Sequence, residues 1–236
     1  MDSVYNYLSP QQLNNLLYIL TFVIMIVSVA ASSNVTRIYK KHSSTPSRYG
    51  FYASAVAEQL LAKNSSAVRI SEVGGALTDH FNPKTQVVGL SQAVYHNNSV
   101  AALAIAAHEI GHVMQYEENY TPIKIRNTIL PVAQFGSQAA PWLILGGLLI
   151  GMTDLAMVGV LLYGAMLLFQ VVTLPVEFNA SRRAIAMLSG GGYIAQDEEA
   201  VAKKVLRAAA MTYVLAALSS LVTFLRLLLI VNNRRK

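Results

Sequence analysis

The sequence predicts a mainly α-helical integral membrane protein. It has about four transmembrane helices and a small cytoplasmic α+β subdomain, built from a short β-meander and one long helix. Three observations lead there. The 236 residues are 54% hydrophobic and only 13% charged, against roughly 25% charged in an average soluble domain, and the mean hydropathy is +0.42. Four apolar stretches approach or exceed the about 20 residues that a spanning helix needs: Leu13–Ala31, Val132–Met152, Leu155–Val176 and Ala208–Val231. The basic residues also fall unevenly between these stretches.

That unevenness sets an orientation. No Lys or Arg precedes the first stretch, nine lie between Ser32 and Pro131, and five lie between Glu177 and Arg207. The positive-inside rule places segments 32–131 and 177–207 in the cytoplasm. The net charge of +6 would point to nucleic acid in a soluble protein. Here membrane orientation explains it, and no nucleic-acid partner is expected. The apolar content excludes disorder. With no Cys, a disulfide scaffold, a Cys-ligated zinc ribbon and an iron–sulfur site are excluded too.

Taken in order, the first stretch is either a span or a cleaved signal peptide ending at Val29-Ala30-Ala31. The residues before it carry Asp2 and no basic group, which argues against a signal peptide. Phe51–Ala62 has apolar residues at helical spacing. Val68–Val73, Gly74-Gly75 and Ala76–Phe81 read as a hairpin, and Asn82–Thr85 as a turn into a third strand at Gln86–Ser91. Ser99–Asn119 is a helix with one face buried, capped by Asn98 or Ser99. The second and third apolar stretches are separated only by Thr153 and Asp154, which makes a tight helical hairpin. The fourth either crosses fully, leaving Arg234, Arg235 and Lys236 outside with Arg226 snorkelling to that interface, or bends back.

The chemistry sits at His108-Glu109-Ile110-Gly111-His112, an HExxH motif. Two His four apart on a helix share a face and can reach one Zn²⁺, and Glu109 beside the first can take a proton from the attacking water. Three ionisable groups within five residues of an apolar helix would be costly to bury unpaired. A third protein ligand is required. Gln115 and Glu118 occupy the places where an extended motif has Gly and His, and the helix period turns Glu118 away from His112. The better candidate is Glu177, where the third span ends on the same side as His108; Pro175 should bend the chain there and swing Glu177 inward.

The segments SVAALAIAAHEIGHVMQ (99–115), GALTDHFNP (75–83), PVAQFGS (131–137) and LFQVVTLPVEFNASRRA (168–184) together resemble the YugP-type neutral zinc metallopeptidases of bacterial membranes. The resemblance runs from about Phe51 to Leu229. It implies one membrane metallopeptidase domain over 1–236 with a zincin-like α+β subdomain. It also implies gluzincin-type ligands His108, His112 and Glu177, and Glu109 as catalytic base. The chain is more distantly similar to the HtpX-type and CAAX prenyl proteases. Those relatives carry Asp four residues after the Glu, where this chain has Ser181, and YugP-type sequences commonly have Asp where Asn179 stands. The groups that orient the two imidazoles are therefore open at this point.

Other polar residues are less specific. His80, on the strand before the motif helix, could hydrogen-bond an oxyanion or be a surface strand residue. Arg182 and Arg183 could orient Glu177 or a substrate carboxylate, or be flanking charges. His42 and His96 read as loop residues, and Tyr116 could face the site. The functional expectation is a zinc-dependent membrane endopeptidase acting on membrane-associated or cytoplasm-facing polypeptides in a bacterial cell membrane. Its partners would be the polypeptide substrate, the bilayer and other membrane proteins or copies of itself. The rival is a non-catalytic, zinc-containing scaffold or adaptor, against which Glu109 argues, since a structural site needs no base. A transporter fits poorly, because strongly polar residues such as Gln170 and Arg226 are few within the spans.

Overall fold

The computed structural model describes Ser9–Arg234; Asp2, Arg235 and Lys236 lie outside the described residues. The elements run α1 (Pro10–Ser43), α2 (Ala53–Lys63), β1 (Arg69–Val73), β2 (His80–Asn82), β3 (Val87–Ser91), α3 (Gln92–Tyr95), α4 (Val100–Glu117), α5 (Thr121–Leu149), α6 (Thr153–Gly190) and α7 (Glu199–Arg234). Two compact units emerge. Among the described residues, one comprises 9–30, Ile125–Val172 and 213–234; the other comprises Ala31–Lys124 and Thr173–Thr212.

The first unit is helical and apolar on its outside. Among the described residues three helices are long and apolar enough to cross a membrane, at Gln11–Ser43, Thr153–Gly190 and Glu199–Arg234. The helix that carries Val132–Met152, α5, is not among them: Pro131, Pro141, Gln134 and Gln138 dilute its apolar character. It nevertheless packs tightly on α6, since a Cβ at Gly136 would lie 2.5 Å from the Leu162 carbonyl oxygen. Ile144, Ala156, Val160 and Val231 form one small core, and Leu17, Ile24 and Val222 another. Large apolar side chains such as Phe22, Trp142, Leu149 and Leu161 point outward, as they do where lipid is the solvent. Helix α7 continues unbroken to Arg234, so the fourth apolar stretch does not turn back. Its Arg226 guanidinium lies 4.0 Å from the Tyr18 ring centroid, a cation–π contact.

The second unit holds the sheet, and here the expected meander is corrected. The strand order is β1-β3-β2, with β1 parallel to β3 and β2 antiparallel to it. Thus the Asn82–Thr85 turn does form a hairpin, its Asn82 Oδ1 accepting from the Lys84 amide at 3.0 Å. Gly74-Gly75 does not. The chain after β1 crosses to the far edge of β3, where the Asp79 carboxylate accepts the Ser91 amide at 2.7 Å and its hydroxyl at 3.0 Å. That tie between Asp79 and the end of β3 is tertiary, and alternation of apolar residues along a strand does not report it.

Helix α4 starts at a Ser99 side chain that accepts the Ala102 amide at 3.2 Å, a conventional N-cap. Burial on one face was expected, yet Ala101, Ala102, Leu103, Ala104, Ala106, Ala107, Ile110 and Val113 are all fully buried. Alanine makes this possible, because small side chains let neighbours approach on every side. The helix therefore runs through the middle of the core, with α2, α3 and the sheet packed on it.

Candidate metal centre

Three side chains converge inside the second unit. His108 and His112 stand one turn apart on α4, their rings 4.7 Å apart centre to centre, and Glu177 comes from α6. Its Oε2 is 3.3 Å from His108 Nε2 and 3.7 Å from His112 Nε2, and the three donor atoms lie within 4.8 Å of one another. Glu177 is 3% exposed, and its Oε2 is buried with no hydrogen-bond partner. An orphaned buried carboxylate oxygen is expensive. Three donors about 2.1 Å from a tetrahedral zinc would stand roughly 3.3–3.5 Å from one another. The donor types, the two separations between Glu177 and the imidazoles, and the unmet bonding of Oε2 fit such an ion.

The route by which Glu177 arrives differs from the expectation. Helix α6 continues through Pro175 without ending there. Proline forfeits one N–H bond, but the segment after it is held by α4. The Val176 carbonyl accepts from Gln115 Nε2 at 2.8 Å, and a Cβ added to Gly111 would come within 2.7 Å of the Ala180 carbonyl oxygen. Packing of two helices, closer than any residue but glycine permits, delivers Glu177 to the histidines.

Both imidazoles are held from behind. His112 Nδ1 is 3.0 Å from Gln115 Oε1, and Gln115 Nε2 donates to Asn179 Oδ1 at 2.9 Å as well as to Val176. Asn179 Oδ1 also accepts from Arg183 Nε, and the two Arg183 terminal nitrogens fork onto Glu118 at 2.7 Å each. His108 Nδ1 lies 3.2 Å from Ser181 Oγ. With Gln115 Oε1 accepting, His112 carries a proton on Nδ1, which leaves Nε2 as the ring nitrogen that can ligate a metal. Sequence reading missed Gln115 in this role. The signal was present: a polar residue three positions after His112, in a helix buried on all sides.

Burial pulls the His112 imidazole down, but the nearby Glu177 carboxylate, with the charge of Glu109, raises it above its ordinary value. Glu109 is 8% exposed. Glu118 is committed to Arg183, whose guanidinium holds its carboxyl below the usual range, and Glu117 accepts from Ser66 Oγ at 2.6 Å. His80 is exposed on β2, opposite Gly89, with its Nδ1 2.9 Å from the Thr78 carbonyl oxygen; it is not one of the three converging residues. Tyr116 packs edge-on against Phe81, and His96 pairs with Glu72 at 3.0 Å.

Fold and site together define a membrane-associated helical protein with a buried group of two histidines and one glutamate suited to zinc. The chain belongs to the family described as "Putative neutral zinc metallopeptidase", which it matches over residues 17–232. It is 41% identical over 217 residues to "Putative membrane protease YugP" of Bacillus subtilis (strain 168), covering 92% of this chain and 96% of that protein. No solved structure matches the chain significantly.

Proposed function

We propose that the protein is a zinc-dependent endopeptidase that cleaves membrane-associated or cytoplasm-facing polypeptides. The observation that carries this reading is the buried, unpartnered Glu177 Oε2 beside two imidazole Nε2 atoms, on a helix that also bears Glu109. In this gluzincin-like HExxH reading, His108, His112 and Glu177 would hold zinc, which when bound polarises the scissile carbonyl and acidifies water. Glu109 takes the proton of the attacking water and passes it to the leaving amine. Gln115 and Ser181 keep the two imidazoles turned inward. An extended substrate adds to the free edge of β2, the outer strand that packs on α4, mainly through backbone hydrogen bonds. His80 on that strand is the candidate donor to the carbonyl oxygen as it gains charge.

The topology belongs to the same proposal. Four helices span the bacterial membrane in this reading, the apolar part of α5 pairing with α6 as a hairpin, and segments 32–131 and 177–207 face the cytoplasm with the site. The distribution of basic residues supports it.

Zinc analysis and casein proteolysis of the detergent-purified protein, wild type beside Glu109→Gln, test the mechanism. The variant should keep zinc and lose activity at least about a hundredfold. Equal turnover would remove Glu109 from the chemistry. Zinc without any proteolysis in the wild type would favour the scaffold reading.

A further inference from the structure

We propose that a groove between α6 and α7, within the second unit, is a binding site for one anionic phospholipid drawn from the bilayer. The groove has a volume of about 1030 Å³. The two helices run antiparallel along it, closed at one end where Ser189 Oγ donates to Glu199 Oε2 at 3.0 Å. Its walls are mostly apolar, from Phe178, Ile185, Leu206 and Met211, and two arginines, Arg182 and Arg207, line it.

The charges are not interchangeable. Of the four cations in the groove, Arg183 is committed to Glu118 and Lys203 to Glu199. Among the described residues, neither Arg182 nor Arg207 has a hydrogen-bond or ion-pair partner, and both are exposed. Two uncommitted guanidiniums flanking an apolar floor suit a phosphate, which they bind in a forked geometry that lysine cannot reproduce.

The order of residues along the groove selects the occupant. The apolar run of α6 ends at Val176 and that of α7 begins at Ala208. Phe178 and Met211, both exposed, therefore sit at the end of the groove nearest those runs. Arg182 follows Phe178 by four residues and Arg207 precedes Met211 by four, so each arginine stands about 6 Å, one turn, further along. Acyl chains lying against Phe178 and Met211 would place a phosphate one turn inward, at the level of the arginines. An acidic peptide would match the charges and leave this apolar-to-basic gradient unused.

The test is native mass spectrometry of the delipidated full chain in a neutral detergent, titrated with phosphatidylglycerol or with phosphatidylcholine of the same chains. Wild type should bind one phosphatidylglycerol with a preference of roughly thirtyfold, and R182Q/R207Q should lose that preference. The single variants should each lose roughly fivefold, which keeps the test readable if the double variant does not purify. A control, K63Q/R69Q, should behave as wild type. The groove includes Ser181, which also touches His108, so a competing polypeptide is a direct check. One-for-one displacement of the lipid by an acidic peptide or by inorganic phosphate would overturn the assignment. So would equal binding of both lipids by wild type, or a preference that survives in R182Q/R207Q.

Discussion

Gly111 and Ala180 touch backbone to backbone: a Cβ placed on Gly111 would lie 2.7 Å from the Ala180 carbonyl oxygen and 3.1 Å from its Cα. One residue beyond Gly111 on α4 is His112, and three residues before Ala180 on α6 is Glu177. The contact therefore sets the distance between a histidine and the glutamate that would share its metal. Gly111→Ala should push α6 away by overpacking, at a cost of about 1–3 kcal/mol. Zinc occupancy should fall sharply in a protein that still purifies. Full occupancy with normal affinity would mean that the two helices adjust independently of the site.

Glu177 and Glu118 separate the metal from its surroundings. Glu177→Ala should lose most of the bound zinc and all proteolysis. Glu118→Ala breaks only a partly exposed pair with Arg183, worth at most about 1 kcal/mol, and should leave metal content close to wild type. The measurement is zinc per chain after gel filtration. Full zinc in Glu177→Ala with loss in Glu118→Ala would reverse the assignment.

Acidity should act on the two forms of the protein in opposite directions. Without metal, the His112 imidazole titrates above its ordinary 6.5 in the folded state. Its contribution to stability is thus complete below 6.5 and lost as pH rises through the folded value. With zinc the sign reverses, because the metal needs the neutral imidazole and affinity is lost as pH falls through the same range. Thermal unfolding with chelator and with zinc, at acid, neutral and mildly alkaline pH, should show a zinc-dependent gain in Tm that grows with pH. A metal-free protein that becomes more stable across this window would contradict the account.

Topology has a clean test because the chain contains no cysteine. Single cysteines at Lys63 and Lys84 should resist an impermeant thiol reagent in intact cells and react after permeabilisation. Rapid labelling of both from outside would invert the orientation and move the site to the opposite face.

Much of this protein was readable along the chain. The apolar stretches announced the long helices, since a helix in lipid must be apolar over its length whatever it packs against. The HExxH spacing put two imidazoles on one face because the helix period is local geometry, and Ser99 capped α4 where the sequence placed a cap. Glu177 was named as a candidate from its place after the third apolar stretch. What required the tertiary structure is every relationship that depends on contact between distant segments. The β1-β3-β2 order follows from the Asp79–Ser91 tie, 12 residues apart, and not from the Gly74-Gly75 pair. Glu177 arrives through a continuous helix past Pro175, because the backbone contact at Gly111 and the Gln115 bond to Val176 hold α6 where proline alone would have weakened it. Gln115 became an orienting residue only once Asn179, 64 positions on, stood beside it. Helical and strand periodicity are written in neighbouring residues, whereas packing is a property of which surfaces meet, and that is decided only when the chain has folded.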